Sequence, residues 1–293
     1  MKMYFDLLRI KSWVKNGFLF LPLVFALKLL EQDQFISVVI AFFSFSFCSS
    51  FIYIINDVLD AKADALHPRK KNRPIPAGKI SSRLALMIGV GCLAASFGLA
   101  FSFAISVVFS YVLLCYLFLN IAYVLVLKNI HLIELFVVAI NFVLRVLAGC
   151  FVINVAPSNW ILVVTFFLSL LLVLVKRRAE LVVLGTNAAA HRKVLKFYSE
   201  GFLDKLILIA ATITITAYIL YSIDPKVTFL LKTNSLIYTS VFVVIGVFRF
   251  VQLSEGKEFE GEGDPTTLLF KDRFTQLVLL AWLISLLFLL YVK

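Results

Sequence analysis

The stretch FISVVIAFFSFSFCSSFIYII (residues 35–55) runs directly into NDVLDAKAD (residues 56–64). The first part has no charged side chain and is long enough to cross a bilayer as a helix. The second part belongs to the densest polar segment of an otherwise apolar chain. The boundary between the two therefore marks where a membrane span meets a charged surface segment, which is a candidate position for a functional site.

Composition indicates a protein that crosses the membrane several times. Hydrophobic residues make up 62% of the 293 positions, and 30 of those positions are Phe. A soluble domain of this size does not need so much apolar surface. The formal net charge of +11 is typical of cytoplasmic loops and anionic partners rather than of nucleic-acid binding. We expect an all-α integral membrane protein, with residues 1–293 forming a single polytopic domain.

Apolar windows predict nine transmembrane helices, and the long polar segments after the second and sixth spans are expected to lie over a shared central cavity. Residues 84–127 are too long for one span, so the chain is expected to fold back near Ser102–Ser106. The predicted spans are 17–31, 35–55, 84–103, 106–127, 132–153, 159–175, 204–223, 235–253 and 275–292.

Basic residues are distributed unevenly between the predicted loops. They are frequent in the N-terminal segment and in the segments 56–83 and 176–203, whereas the loops on the opposite side are nearly free of them. Lys and Arg accumulate on the cytoplasmic side of membrane proteins. This rule predicts a cytoplasmic N-terminus and two functional cytoplasmic loops, 56–83 and 176–203.

The segment 56–64 carries three carboxylates at helical spacing. As a helix, Asp57, Asp60 and Asp64 would lie within roughly 60° of one another, with Asn56 at the side. Such oxygen ligands suit Mg²⁺, which usually binds one or two carboxylates together with substrate phosphates. Basic residues that could hold those phosphates follow at once, namely Lys70, Lys71, Arg73, Lys79 and Arg83. The alternative is a solvated loop whose aspartates cap helices or pair with lysines.

Two further groups of charged residues are candidates. Arg145 lies inside the predicted span 132–153, where a charge needs a polar cavity or a carboxylate partner, and Glu134 at the end of the same span is one candidate partner. A purely structural ion pair is the alternative. The run Lys176, Arg177, Arg178 and Glu180 suits phosphate binding through arginine, although ordinary positive-inside anchoring also explains its lysine and arginines.

Two single residues complete the candidates. Lys15 is a plausible contact to a lipid headgroup, but a basic and aromatic belt at the membrane interface explains it equally well. His67 precedes Pro68, which biases the backbone towards extended conformations. We therefore expect His67 to lie beside the site.

The motif Asn-Asp-x-x-Asp-x-x-x-Asp at 56–64 resembles the first Asp-rich motif of the UbiA superfamily of intramembrane prenyltransferases. Its extension through His67-Pro68 and 73–78 is similar to one branch, the decaprenyl-phosphate phosphoribosyltransferases. Other residues that resemble this branch are Arg9, Trp13, Lys15, Asn16, Tyr123, Lys128, Glu134, Leu144, Arg145, Gly149, Lys176–Leu181, His191, Arg192, Tyr198 and Ser199. The sequence departs from the pattern at Ile10 and Ser12, where the branch has Pro and Gln.

The resemblance implies a Mg²⁺-dependent transfer of 5-phosphoribose from phosphoribosyl diphosphate (PRPP) to a polyprenyl phosphate in a bacterial-type cytoplasmic membrane. The pathway implied is synthesis of cell-envelope glycan precursors. The implied catalytic residues are Asp57, Asp60, Asp64 and Arg73, with Asn56 joining the three aspartates as metal ligands. The implied substrate-binding residues are Lys15, Asn56, His67, Lys70, Lys71, Tyr123, Lys128, Glu134, Arg145, Lys176, Arg177, Arg178 and Glu180. The sequence leaves open whether the chain forms a homo-oligomer.

Two other functions compete with this one. A prenyltransferase that uses an aromatic acceptor would carry a second Asp-rich motif after the sixth predicted span, and 176–180 has three cations and one carboxylate instead. A transporter would place ionisable residues near mid-membrane and interrupt helices in both halves of the chain. Here the polar residues gather at one face, which favours an enzyme.

Overall fold

A computed structural model describes residues 2–66, 70–102, 106–185, 192–255 and 271–292. Within these ranges every regular element is helical, which confirms the all-α fold class. The α-helices are α1 (Lys2–Leu7), α2 (Leu21–Phe25), α3 (Gln32–Leu59), α4 (Ala61–Ala65), α5 (Ser82–Ser102), α6 (Val107–Leu125), α7 (Ile133–Val152), α8 (Asn159–Leu184), α9 (Glu200–Ile223), α10 (Pro225–Leu231), α11 (Ser240–Glu255) and α12 (Arg273–Tyr291). Short 3₁₀ helices cover Ile10–Phe20, Lys70–Asn72, Leu127–Asn129, Lys193–Phe197 and Ser235–Thr239.

Eight helices in the described ranges are long and apolar enough to cross a membrane. They are Gln32–Leu59, Ser82–Phe101, Val107–Leu125, Ile133–Val152, Asn159–Val183, Glu200–Ile223, Ser235–Glu255 and Arg273–Tyr291. Each corresponds to one predicted window, and the long apolar stretch 84–127 is divided between the two helices α5 and α6. The chain is a multi-pass membrane protein.

The first predicted span, 17–31, is not one continuous helix, so the structure does not confirm nine spans. The 3₁₀ helix Ile10–Phe20 leads into α2, which carries Pro22 in its first turn and ends at Phe25. Leu27 then takes a positive φ of 58°, a left-handed conformation that stops a helix. An apolar window shows that a segment avoids water, but it does not fix the backbone geometry.

The chain divides into two compact units. The first unit comprises Met1–Lys128 with Leu144–Ala156, and the second comprises Asn129–Val143 with Pro157–Lys293.

In the first unit, α5 packs along α3. Ser44 Oγ donates to the carbonyl of Ser96 (2.8 Å), and Ser96 Oγ donates back to the carbonyl of Ser44 (2.7 Å). Reciprocal serine bonds of this kind bring two membrane helices close together. Buried Phe45, Phe109 and Leu113 fill the core beside them.

The 3₁₀ helix Ile10–Phe20 is held against α3 by polar side chains. Trp13 Nε1 donates to Ser50 Oγ (3.0 Å), and the buried Asn16 donates through Nδ2 to Ser46 Oγ (2.9 Å). These partners matter because 3₁₀ helices of more than three or four residues are uncommon and need support from their surroundings. The N-terminal segment is therefore fixed on the helix that ends in the Asp-rich motif.

Gly149 lets this N-terminal segment approach α7. A Cβ atom at position 149 would lie 2.2 Å from the backbone oxygen of Leu19, which is far inside contact distance. A backbone atom cannot move aside as a flexible side chain can. Glycine is therefore required at this position for the observed packing of the first unit.

The second unit packs α8, α9 and α11 around its own core. Leu171 and Leu174 of α8 meet Leu203 and Ile207 of α9, and Phe250 of α11 packs against the same cluster. These residues recur at helical spacing on each helix.

We expect Gly149→Ala to lower the free energy of unfolding by about 1–3 kcal/mol, because the added methyl group overpacks a rigid contact. Gly91→Ala on α5 is the matched control, since no atom lies within 4 Å of its added Cβ. Thermal unfolding of both variants in detergent measures the difference. Equal stability of the two variants would show that the Leu19–Gly149 contact is unimportant.

Candidate functional site

The Asp-rich motif does not lie on one helical stripe, contrary to the prediction. Helix α3 ends at Leu59, and Asp60 is its C-cap, with φ −90° and ψ 3°. Asp57 therefore lies in the last turn of α3, whereas Asp64 lies in the separate helix α4. The sequence spacing was compatible with a continuous helix, but the backbone bends at Asp60, so each aspartate takes its own direction.

Asp57 and Asp64 still meet, because Arg73 lies between them. One guanidinium nitrogen, Nη1, is 3.1 Å from Asp57 Oδ1 and 2.5 Å from Asp64 Oδ2. Arg9 pairs with Asp57 from the N-terminal side, with Nε 3.2 Å from Oδ2. Lys70 Nζ lies 3.6 Å from Asp64 Oδ1. Both carboxylates are buried, so these cations supply the charge balance that burial requires.

Asp60 and Asn56 face a different cation. Lys128 Nζ lies 2.7 Å from Asp60 Oδ1 and 3.4 Å from Asn56 Oδ1. Lys128 belongs to the 3₁₀ helix Leu127–Asn129 that follows α6. A contact between residues so far apart in sequence ties the end of α6 to the end of α3. We call the residues Arg9, Asn56, Asp57, Asp60, Asp64, Lys70, Arg73 and Lys128 the first cluster.

A tight turn after Arg73 holds its side chain in place. The carbonyl of buried Pro74 accepts hydrogen bonds from the amides of Lys79 (2.9 Å) and Ile80 (3.2 Å). Gly78 closes the turn with φ 69°, a conformation that glycine adopts without strain. Burial lowers the pKa of Arg73 and the nearby charge of Arg9 lowers it further, while Asp57 and Asp64 oppose both effects.

The first cluster offers oxygen ligands in pairs. No group of three His, Cys, Asp or Glu side chains that could hold a metal ion occurs among the residues described, so the expected gathering of all three aspartates is not observed. Instead, the oxygens lie in two pairs, each around one basic nitrogen. Asp57 and Asp64 bind Nη1 of Arg73. Asn56 and Asp60 bind Nζ of Lys128. Two protein oxygens are enough to bind Mg²⁺ when phosphates and water supply its other ligands. Each pair could therefore bind the ion if the lysine or arginine side chain moved away from the carboxylates.

Arg9 also belongs to this cluster, although neither its spacing nor its chemistry in the sequence indicates a site residue. Its backbone is left-handed, with φ 49°, which is uncommon for a residue other than glycine and is concentrated at functional sites. Only its match to the family pattern singled it out in the sequence, because one arginine near a terminus carries no periodic signal. In the structure Arg9 contacts Asp57.

Arg145 does not pair with the candidate partner Glu134, and its neighbours are polar side chains instead. It donates through Nε to Asn16 Oδ1 (2.8 Å) and through Nη2 to the hydroxyl of Tyr116 (3.0 Å). Its guanidinium also lies 5.4 Å from the ring centre of Phe45. Eleven residues of helix separate Arg145 from Glu134, which corresponds to roughly 16 Å, so the two cannot touch.

Glu134 is the centre of a second cluster, which lies in the second unit. It is fully buried, and it accepts two parallel bonds from Arg177, whose Nε and Nη2 are both 2.8 Å from its oxygens. Arg192 Nη2 adds a third bond at 2.8 Å, and Glu180 pairs with Arg177 Nη1 at 2.7 Å. Two-pronged arginine–carboxylate bonds of this kind are among the strongest that side chains form. We call Glu134, Arg177, Glu180 and Arg192 the second cluster.

The segment 192–199 docks on the start of α7 through more than Arg192. The hydroxyl of Tyr198 accepts a hydrogen bond from the amide of Leu132 (2.8 Å), and the ring of Phe197 stacks on His131 at 4.6 Å. Burial raises the pKa of Tyr198, so its phenol stays protonated at neutral pH. This segment is therefore fixed beside Glu134.

The run 176–180 lies on a helix and not in a loop, because α8 continues to Leu184. Its cations consequently diverge. Arg177 turns to Glu134, whereas Arg178 pairs with Asp204 and donates to the carbonyl of Ser254 (2.9 Å). Lys176 is half-buried. The structure thus places Arg178 in a contact that joins α8, α9 and α11.

Some of the remaining candidates lie within the described ranges and others lie outside them. Lys15 is half-buried on the 3₁₀ helix Ile10–Phe20, and Tyr123 packs against the core of the first unit. Lys71 is exposed. His67 and His191 lie outside the described residues.

Residues 19–271 match the UbiA prenyltransferase family. The chain belongs to this family. Membership of this family makes the chain a transferase. The matched residues, 19–271, include most of the first cluster and all of the second.

Two relatives of this UbiA-family chain cover nearly its whole length. The decaprenyl-phosphate phosphoribosyltransferase of Corynebacterium glutamicum is 31% identical over 97% of the chain and 86% of the relative. The Mycobacterium tuberculosis enzyme of the same name is 30% identical over 94% of the chain and 90% of the relative. A UbiA homolog from Archaeoglobus fulgidus, solved with GPP and Mg²⁺, matches with a TM-score of 0.69 and 18% identity over 99% of this chain and 100% of the other. At that identity the likeness shows the fold alone.

We expect Glu134→Gln to lower the stability of this UbiA-family chain by about 3–5 kcal/mol, because it leaves the buried charge of Arg177 without its main counter-charge. Cleavage by trypsin at Lys193 and Lys196 should accelerate, since the segment 192–199 loses its bond to α7. Glu200→Gln, an exposed position at the start of α9, is the control. Unchanged melting and cleavage of Glu134→Gln would contradict this account.

Proposed function

We propose that this chain transfers the 5-phosphoribosyl group of PRPP to a polyprenyl phosphate. An oxygen of the lipid phosphate attacks the anomeric carbon of the ribose, the bond from that carbon to the diphosphate oxygen breaks, and diphosphate leaves. The proposed setting is the cytoplasmic membrane of a bacterial-type cell, with both clusters facing the cytoplasm, where the synthesis of cell-envelope glycan precursors would use the product.

This choice of reaction rests mainly on similarity, over nearly the whole chain, to enzymes named decaprenyl-phosphate phosphoribosyltransferase. The relatives are 30–31% identical over 94–97% of the chain, so the similarity includes both clusters and the spans that hold them. The net charge of the two units supports the same choice. A donor diphosphate, a sugar phosphate and a lipid phosphate together carry more negative charge than one prenyl diphosphate, and the chain supplies basic residues in excess in both units.

The first cluster would bind the diphosphate of PRPP. In this proposal Asn56, Asp57, Asp60 and Asp64 would hold Mg²⁺, and Arg73 and Lys128 would contact phosphate oxygens of the donor. The ion would neutralise the diphosphate as it leaves. Arg9 and Lys70 stand next to the same carboxylates and would add positive charge for the donor. Lys71, His67 and Lys15 remain proposed substrate contacts.

The second cluster would present positive charge to a phosphate of donor or acceptor. Arg177 is almost wholly buried and is held on both sides by carboxylates, so its proposed role is to fix Glu134. Arg192 is held by the same carboxylate but its side chain is 25% exposed. We therefore assign the phosphate contact to Arg192 and Lys176, and a positioning role to Glu134 and Arg177.

Such a reaction requires positioning more than proton transfer. A phosphate monoester is already ionised at pH 7, so the nucleophile needs no strong general base. Catalysis then depends on holding the reacting atoms in line and on stabilising the charge of the leaving group. Basic side chains fixed by buried carboxylates are suited to this task, because their orientation is set before the substrate binds.

The alternative is a prenyltransferase that moves a prenyl group from prenyl diphosphate to an aromatic or other small acceptor. The family description favours it in general terms. The first cluster serves either donor, because both carry a diphosphate. The two reactions differ in the product, which makes a direct assay decisive.

Purified protein in lipid nanodiscs should convert PRPP and polyprenyl phosphate to lipid-linked phosphoribose and diphosphate, and chelation of divalent cations should abolish turnover. Radiolabelled ribose followed into the lipid phase measures the product. Prenyl diphosphate with an aromatic acceptor is the parallel assay. Turnover in the parallel assay alone would replace the proposed reaction with the alternative.

Asp57→Asn and Asp60→Asn should each lower kcat at least 100-fold, since each removes a charged oxygen proposed to bind the metal. Asp33→Asn, an acid in the first turn of the same helix α3, is the control and should keep normal activity. Chromatographic profiles in detergent establish that the variants fold. Near-normal turnover of both site variants would remove these carboxylates from the mechanism.

A further inference from the structure

The link between the spans Glu200–Ile223 and Ser235–Glu255 exposes apolar side chains at a membrane surface. This link contains α10, a short helix whose Val227 and Leu231 are buried while Phe229 and Leu230 point outward. Phe229 is 86% exposed and Leu230 55% exposed. An outward Phe and Leu on a polar link are unfavourable in water, so an apolar environment is expected to receive them.

The position of the link shows what that environment is. It joins two membrane spans directly, so it has to lie at the boundary between lipid and water. Ile223, at the end of α9, and Tyr238, which follows the link, are also exposed. Trp160, at the start of α8, bonds through Nε1 to Asp224 (3.0 Å), and tryptophan is enriched at this depth of the bilayer.

The charge of the link is positive where it faces outward. Lys226 and Lys232 are exposed at the two ends of α10. The acidic residue next to them, Asp224, is engaged: its Oδ1 accepts bonds from the amides of Lys226 (2.8 Å) and Val227 (3.2 Å), and its Oδ2 accepts from Trp160. Two lysines beside two outward apolar side chains match the headgroup and acyl regions of an anionic lipid.

We propose that α10 is an interfacial anchor that inserts Phe229 and Leu230 into the bilayer and binds anionic phospholipid headgroups through Lys226 and Lys232. The occupant is the lipid surface itself, and this role is independent of the proposed reaction. Insertion removes the two apolar side chains from water, and the lysines fix the depth at which the helix lies. The element would hold α9 and α11 at a defined height in the membrane and enrich anionic lipid beside them.

A photo-crosslinking experiment tests the proposal. Benzophenone-phenylalanine replaces Phe229 in the full chain, which is assembled in nanodiscs of equal parts phosphatidylcholine and phosphatidylglycerol. Intact-protein mass spectrometry identifies the lipid attached after illumination. We expect lipid adducts at position 229, with phosphatidylglycerol favoured about 25-fold, because each of the two lysines near a charged surface contributes about fivefold. Position 230 is a second site for the same probe if the change at 229 prevents folding.

Two controls distinguish insertion of Phe229 into the bilayer from binding of anionic headgroups by the lysines. Phe118, 65% exposed in the interior of α6, should give adducts with both lipids in equal amounts. The double change Lys226→Gln with Lys232→Gln should abolish the preference at position 229 while leaving the adducts. Absence of lipid adducts at both 229 and 230 would overturn insertion, and equal labelling of the two lipids in the unmodified background would overturn anionic binding. Loss of the preference with inorganic phosphate, but not with chloride at the same ionic strength, would indicate a phosphate site instead of a lipid surface.

Discussion

Charge balance around buried carboxylates is the constraint on which both clusters depend. Glu134 is fully buried and Asp57 is 2% exposed, so neither can carry its charge without close cations. Two arginines satisfy each of them: Arg177 and Arg192 for Glu134, Arg9 and Arg73 for Asp57. The carboxylates thus hold basic side chains in fixed orientations at the ends of membrane helices, which is the arrangement that a polyanionic substrate requires.

The same pairing organises the chain over long distances in sequence. Arg9 reaches Asp57 across 48 positions, and Lys128 reaches Asp60 across 68. In the first unit these contacts bring the N-terminal segment and the end of α6 to the end of α3. In the second unit Glu134 draws α8 and the segment 192–199 to the start of α7. Hydrophobic length thus determines which segments span the membrane, whereas charge determines which segments meet at the ends of those spans.

This division explains what the sequence could and could not predict. Eight spans follow from apolar length alone, because the bilayer sets a physical scale that composition reveals. The break at Asp60 was not predictable from spacing, since Asp57, Asp60 and Asp64 suit one continuous helix equally well. Likewise, the requirement for a partner of Arg145 was correct, but its identity depended on Asn16 and Tyr116, which a periodic pattern does not connect to it.

Helix geometry also limits how the run 176–178 can act. Consecutive residues on an α-helix point about 100° apart, so three adjacent cations cannot all face one phosphate. Arg177 and Arg178 illustrate this, because they bind Glu134 and Asp204 on different sides of α8. A phosphate contact in the second unit therefore has to combine residues from different segments. Arg192, which shares Glu134 with Arg177 and keeps part of its side chain exposed, meets that requirement.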